Sequence, residues 1–142
     1  GAISAKQQTS TDSGTESLQS LSDERRDFIQ KSLDAWCANL GYKDCTVNML
    51  TLSRTLCISK DELSVFFDQY QKTTFRIWLG DIRFNAAKKM MLEFPDYSND
   101  IISAECGFSA RTYLYRIFKS KEGCTPTEWR EENTRKTHNK RE

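Results

Sequence analysis

ISAECGFS, Ile102–Ser109, has a counterpart fifty residues earlier in LSRTLCIS, Leu52–Ser59. Each reads aliphatic, Ser, three variable residues, a small residue, an apolar residue, Ser. Each precedes a run with a late phenylalanine, Phe67 and Phe118, by which point the offset has grown to 51. A unit repeated at matching spacing signals duplicated supersecondary structure.

Two helices joined by so tight a turn need small residues where their axes cross, which Ser53 and Ser103 supply. The turn wants a residue tolerant of positive φ, a requirement that suits Gly107 and not Cys57. This is the layout of a helix-turn-helix, whose second helix enters the major groove of DNA.

The flanking sequence reads almost entirely helical, with two prolines and no sustained alternation. Ser22 with Asp23 and Glu24 opens a first helix carrying Ile29, Leu33, Trp36, Cys37 and Leu40 on one face until Gly41 stops it. Thr46 is placed to cap a second, through Leu56. The capping box from Ser59 to Glu62 opens a third, with Leu63, Phe66, Phe67 and Tyr70 apolar. Thr74 starts a long fourth that ends at Phe94-Pro95. Ser98 caps a fifth, residues 110–121 form the sixth, and Thr125-Pro126-Thr127-Glu128 opens a seventh. The expected fold is all-α: two helix-turn-helix subdomains joined by a long central helix over residues 21–134, with a lead-in at 1–20 and a polar tail at 135–142. At about 30 Å the fourth helix is near the ~34 Å between successive major grooves on one side of a duplex.

On a helical wheel Leu114, Ile117, Phe118 and Lys121, with Ala110 or Tyr113, make a largely apolar face. Arg111, Tyr115 and Lys119 fall at i, i+4 and i+8 on another, with Thr112 and Arg116 beside them. From Gly107 to Lys121 there are four basic residues and no acidic one. A carboxylate there would repel phosphate, whereas guanidinium groups can grip phosphate oxygens or guanine O6 and N7 in pairs of bonds. Ser109, Arg111, Thr112, Tyr115, Arg116 and Lys119 are the candidate DNA-binding residues. The first copy differs. Ser59–Gln71 holds Lys60 against Asp61, Glu62 and Asp68, and its base-facing positions are Asp61, Ser64 and Val65. Lys60 and Ser64 are weaker candidates, and Phe66 and Phe67 are expected in the core. The pair is therefore unequal.

Composition narrows the alternatives. With 21 basic and 20 acidic residues the chain is no general polyanion binder, so a local patch must meet any anion. Five cysteines without a C-x-x-C pair, and one histidine, His138, make no plausible metal set or thiol nucleophile. No acid–base pair or phosphate-cradling glycine loop points to an enzyme. No cofactor is expected. Without a membrane-length apolar run or signal peptide, the cytoplasm is the expected location.

GFSARTYLYRIFKSKEGCTPTEWR, Gly107–Arg130, and WLGDIRFNAAKKMMLE, Trp78–Glu93, resemble the DNA-binding domain of AraC/XylS-type transcription regulators. The similarity spans about Asp23 to Glu132. It implies seven helices, promoter or operator DNA as partner, RNA polymerase as a second partner, and an upstream sensing or dimerisation region, in some relatives membrane-tethered. It also implies that Arg111, Thr112, Tyr115 and Arg116 contact DNA, with Lys119 on phosphate. Departures are Asp61, Ser64 and Val65 where relatives place readers, Cys57 for a glycine or small residue, and Ser53 and Ser103 where alanine is usual. The competing expectation is a helical protein-interaction module with weak or lost DNA affinity, suggested by the acidic first copy.

Overall fold

The computed structural model describes residues 20–141, with side chains through residue 136, so the lead-in expected at 1–20 lies outside the described residues but for Ser20. Among them are seven α-helices: α1 (Asp23–Ala38), α2 (Met49–Leu56), α3 (Lys60–Val65), α4 (Phe75–Glu93), α5 (Asn99–Glu105), α6 (Arg111–Glu122) and α7 (Pro126–Arg141). The fold is all-α, as the sequence implies. A 3₁₀ turn (Gly41–Lys43) follows α1, and α3 runs on into a π-helical turn (Phe66–Tyr70).

Two compact units form. One contains the described residues through Ala35 together with Asn48–Phe75; the other contains Trp36–Val47 and the chain from Arg76 onward. The first unit buries Ile29 and Leu33 of α1, Leu52 of α2, Ile58 of the turn, Leu63 of α3, and Phe66 and Phe67. Full burial of such a side chain is worth about 1.5–3 kcal/mol. The Phe66 and Phe67 rings meet edge to face at 5.8 Å, and Phe67 lies 5.9 Å from Phe75. Both phenylalanines are core residues, as expected.

The second unit is built on one face of α4, where Phe84, Ala87 and Met91 meet Ile102 and Cys106 of the α5 end, Phe108 of the turn, and Leu114 and Phe118 of α6. Phe118 lies between Phe84 and Trp129, with ring centroids 4.8 and 5.7 Å away. α4 has 19 residues, about 28 Å of helix.

The two repeats close their turns alike. Ile58 N–H donates to the Ser53 carbonyl at 3.1 Å, and Phe108 N–H to that of Ser103 at 3.0 Å. These are the long bonds that end a helix whose next residue is left-handed. The copies then diverge by one residue. Ser59 caps α3, accepting from Glu62 N–H at 3.1 Å, whereas Ala110, with no side-chain cap, precedes α6. The growth of the offset to 51 is this insertion, and it brings Leu63 into register with Leu114 and Phe67 with Phe118, all four buried.

Three details correct the sequence reading. Cys57 adopts φ 57 despite its side chain, matching the left-handed Gly107 at φ 91. Its thiol donates to the Arg54 carbonyl at 3.8 Å, a weak local compensation. At the end of α1 the left-handed residue is Leu40, φ 65, not Gly41; a Cβ on Gly41 would sit 2.2 Å from the Trp36 ring, so that glycine answers to packing. The cap of α2 is Asn48, in a reciprocal box with Thr51, while Thr46 bonds the Asp44 carboxylate instead. The expected seventh-helix box forms between Thr125 and Glu128, but the polar stretch from 135 stays helical to Arg141.

The segment Trp36–Val47 braces the second repeat. Arg83 of α4 donates to the carbonyls of Tyr42 and Asp44, both at 2.8 Å, and Lys43 pairs with Glu105 at 3.3 Å. The backbone of Gly107 packs on this segment so closely that a Cβ would lie 2.1 Å from the Tyr42 oxygen. At Gly123, φ 76, a Cβ would meet nothing within 4 Å. Gly123→Ala should therefore cost only the left-handed penalty of about 1–2 kcal/mol, and Gly107→Ala distinctly more, in urea unfolding. Cys57→Gly should stabilise by about 1 kcal/mol, since it relieves that same penalty.

Candidate nucleic-acid interface

α6 divides cleanly. Leu114 and Phe118 are 0% exposed, while Arg111, Thr112, Arg116 and Lys119 are exposed and Tyr115 is half-buried. Those five polar residues line one open concavity of the second unit. Ser109 is also exposed and lies in the turn ahead of the helix. Ile117 is partly buried against the core, but Tyr113, expected nearer the apolar face, is 48% exposed. Left-handed Gly123 ends the helix, its N–H donating to the Lys119 carbonyl at 3.1 Å.

The cations of the helix have different employments. Arg111 lies 3.3 Å from Asp100 of α5 and its guanidinium carbon 5.8 Å from the Tyr115 ring centre; that of Arg116 lies 5.2 Å from the Tyr113 ring. A cation over an exposed ring gains about 0.5–1 kcal/mol and loses freedom of motion. The Arg111–Asp100 pair is well solvated on both sides, so it is weak and exchangeable for phosphate. Lys121, by contrast, bonds Asp81 at 2.7 Å on a different side of the helix.

Sequence reasoning missed the residues that set this surface from beneath. Asn99, first residue of α5, donates through Nδ2 to the Tyr115 hydroxyl at 3.1 Å and to Thr127 Oγ1 at 2.9 Å. Its Oδ1 accepts from Arg130 Nη1 at 2.8 Å, and Arg130 Nη2 reaches the Pro95 carbonyl at 3.2 Å. Partial burial holds the Arg130 pKa below its ordinary value. Nothing in the sequence distinguishes Asn99 from an ordinary residue after a Ser98 cap.

In the first unit, Lys60, Asp61 and Ser64 are exposed on α3, but Val65 is buried at 8% exposure. That corrects its placement as a base-facing position: an apolar side chain gains by leaving water, and Val65 joins Leu63, Phe66 and Phe67 among the buried residues of the unit. Arg25 of α1 grips the Glu62 carboxylate with two bonds, 2.8 and 3.0 Å. These bonds hold the Glu62 pKa below the ordinary carboxylate range, with burial opposing.

Among the described residues no three His, Cys, Asp or Glu side chains could hold a metal ion, and no helix is long and apolar enough to cross a membrane. Burial raises the Cys106 thiol to about 11, so at neutral pH it is a packing group.

The architecture and its polar helix face are those of a helix-turn-helix protein. A family model described as a helix-turn-helix domain matches residues 52–132, more than half of the chain, and the chain belongs to that family, the AraC-type helix-turn-helix regulators. The family comprises DNA-binding transcription regulators rather than enzymes. Solved structures share the fold. The C-terminal domain of the response regulator yesN from Fusobacterium nucleatum is 24% identical with a TM-score of 0.59, covering 77% of this chain and 99% of that one. The DNA-binding domain of AdpA, a global transcriptional factor solved with a target DNA, is 22% identical with a TM-score of 0.62, covering 72% and 88%. A Listeria innocua protein of unknown function is 27% identical, also at 0.62, covering 72% and 94%. A search of curated proteins found no match.

The Arg25–Glu62 pair carries a pH signature. A carboxylate whose folded pKa lies below its unfolded value, about 4.3, contributes fully above that value and loses its contribution as the pH falls through the folded pKa. Glu62→Gln should cost about 1 kcal/mol at pH 7, and urea melts should show the difference from the unsubstituted protein vanishing in acid.

Proposed function

We propose that this chain is a sequence-specific double-stranded DNA-binding module of a transcription regulator that reads its site mainly with the second helix-turn-helix, α6 lying in the major groove. In this reading Arg111 and Arg116 contact bases or phosphates, Thr112 and Tyr115 contact base edges or backbone, and Ser109 and Lys119 contact phosphate. One observation carries it: the same helix buries Leu114 and Phe118 completely while five polar side chains, three of them cationic, line a single concavity. A cation row on a helix face that carries no acid between Arg111 and Lys121 is what a polyanionic groove selects.

The first unit contributes less. Its α3 presents Lys60 and Ser64 beside Asp61, and a carboxylate among so few donors opposes phosphate. The same acidic surface is what a protein-interaction module would use, so binding strength decides between the readings. The proposed partners are promoter or operator DNA and, through it, RNA polymerase.

Selection of bound duplexes from a random pool should enrich a short motif, one groove wide. On that duplex Arg111→Ala and Arg116→Ala should each cost about 1–3 kcal/mol if they pair with bases, whereas Lys60→Ala and Ser64→Ala should cost much less. The logarithm of affinity should fall with the logarithm of salt at about 0.9 per phosphate contact. A flat salt dependence, or equal losses in both units, would reject the assignment.

A further inference from the structure

The bonds beneath Tyr115 determine what its hydroxyl can offer to a ligand. A guanidinium has donors only, so the Asn99 atom facing Arg130 must be the amide oxygen, and the bond is 2.8 Å long. The amide nitrogen is thereby turned to the other side. There its two hydrogens are assigned, one to Thr127 Oγ1 and one to the Tyr115 hydroxyl. A phenol oxygen that accepts from an amide keeps its own proton, and that proton must point away from the amide. Tyr115 also lines the concavity it shares with Arg111, Thr112, Arg116 and Lys119, which is open to that proton. Thr112 apart, every one of these neighbours is a donor without acceptor capacity.

We infer that Asn99 is a positioning residue that fixes the Tyr115 hydroxyl as a hydrogen-bond donor, and that Tyr115 thereby selects an acceptor on the DNA, a phosphate oxygen or a base-edge acceptor such as purine N7, guanine O6 or thymine O4. An exocyclic amine of adenine or cytosine at that position meets a proton where it needs a lone pair, and is disfavoured. This rests on the reading that α6 meets DNA. It adds a residue of α5, outside the polar face, to the determinants of specificity. Arg130 and Thr127 of α7 take part through the same amide, so one asparagine ties three helices to the orientation of one proton.

The probe is the duplex that the chain enriches from a random pool. Affinity is measured for the unsubstituted protein, Tyr115→Phe, Asn99→Ala and the double variant. Each is also tested on duplexes with single methylphosphonates, or with single base exchanges including 7-deazapurines. Tyr115→Phe should weaken binding about 5–10-fold if the lost partner is a neutral base acceptor, and more than about tenfold if it is an anionic phosphate oxygen. Asn99→Ala should weaken it several-fold alone and add little to Tyr115→Phe. Sensitivity to one particular phosphate or base acceptor should disappear in both single variants. Loss traced to a methylphosphonate identifies a phosphate oxygen, and loss traced to a base identifies a base acceptor.

Asn99→Asp is the second variant. It keeps an oxygen for Arg130, so the fold is held, but it accepts the Tyr115 proton and turns it inward. It should lose the same phosphate or base sensitivity, and the part of its cost that Tyr115→Phe abolishes is the positioning effect. Equal costs of the Asn99 substitutions with and without Tyr115→Phe would make Asn99 merely structural and overturn the inference, as would a Tyr115→Phe protein that binds normally. Failure to enrich any duplex, or indifference to Arg111→Ala and Arg116→Ala, would instead overturn the DNA reading itself.

Discussion

Burial of Leu114 and Phe118 is the constraint on which the surface of the second unit depends. Phe118 is held between Phe84 of α4 and Trp129 of α7, and Leu114 lies one turn earlier on the same stripe. Two fully buried side chains on a helix of 12 residues fix its rotation about its own axis. Once that rotation is fixed, Arg111, Thr112, Tyr115, Arg116 and Lys119 can only face outward. The polar face is a consequence of the apolar one.

The turn beneath this helix is equally determined. Gly107 is left-handed and abuts the backbone of Tyr42, and Arg83 holds the carbonyls of Tyr42 and Asp44. A segment between α1 and α2 therefore supports the second repeat rather than the first. The first repeat closes the same turn with Cys57 in a left-handed conformation that glycine adopts freely. The two copies share their hydrogen-bond plan and differ in what surrounds it. One ends in a helix whose Glu62 is committed to Arg25; the other ends in a helix that gathers Arg111, Arg116 and Lys119 around one concavity.

Charge on α6 is organised locally rather than through net charge. The exposed Asp100 gives Arg111 a weak, replaceable partner, whereas Lys121 and Lys88 bond Asp81 and Glu122 elsewhere in the unit. A chain with nearly balanced charge can in this way keep one donor-rich surface for an anion. Beneath it, the Asn99 amide joins α5, α6 and α7 through bonds whose polarity the Arg130 guanidinium sets.

Much of this was legible in the chain itself. The repeat at Leu52 and Ile102, the Ser59, Ser98 and Thr125 caps, the glycine at 107 and the wheel of α6 are local patterns, and local sterics and periodicity fix them before any long-range contact forms. The elements, their order and the polar row of α6 follow from those patterns alone. Val65, Leu40, Thr46 and Asn99 were misread or overlooked because what decides them comes from distant chain or from a boundary moved by a residue or two. Val65 is turned inward by the packing of its unit, and Gly41 yields the left-handed position to Leu40 while packing against Trp36. Asn99 acquires its role only when α6 and α7 bring Tyr115 and Arg130 to either side of one amide. Periodicity reports which face of a helix is buried; which atoms meet across that face is a property of the folded chain, where residues far apart in sequence come within hydrogen-bonding distance.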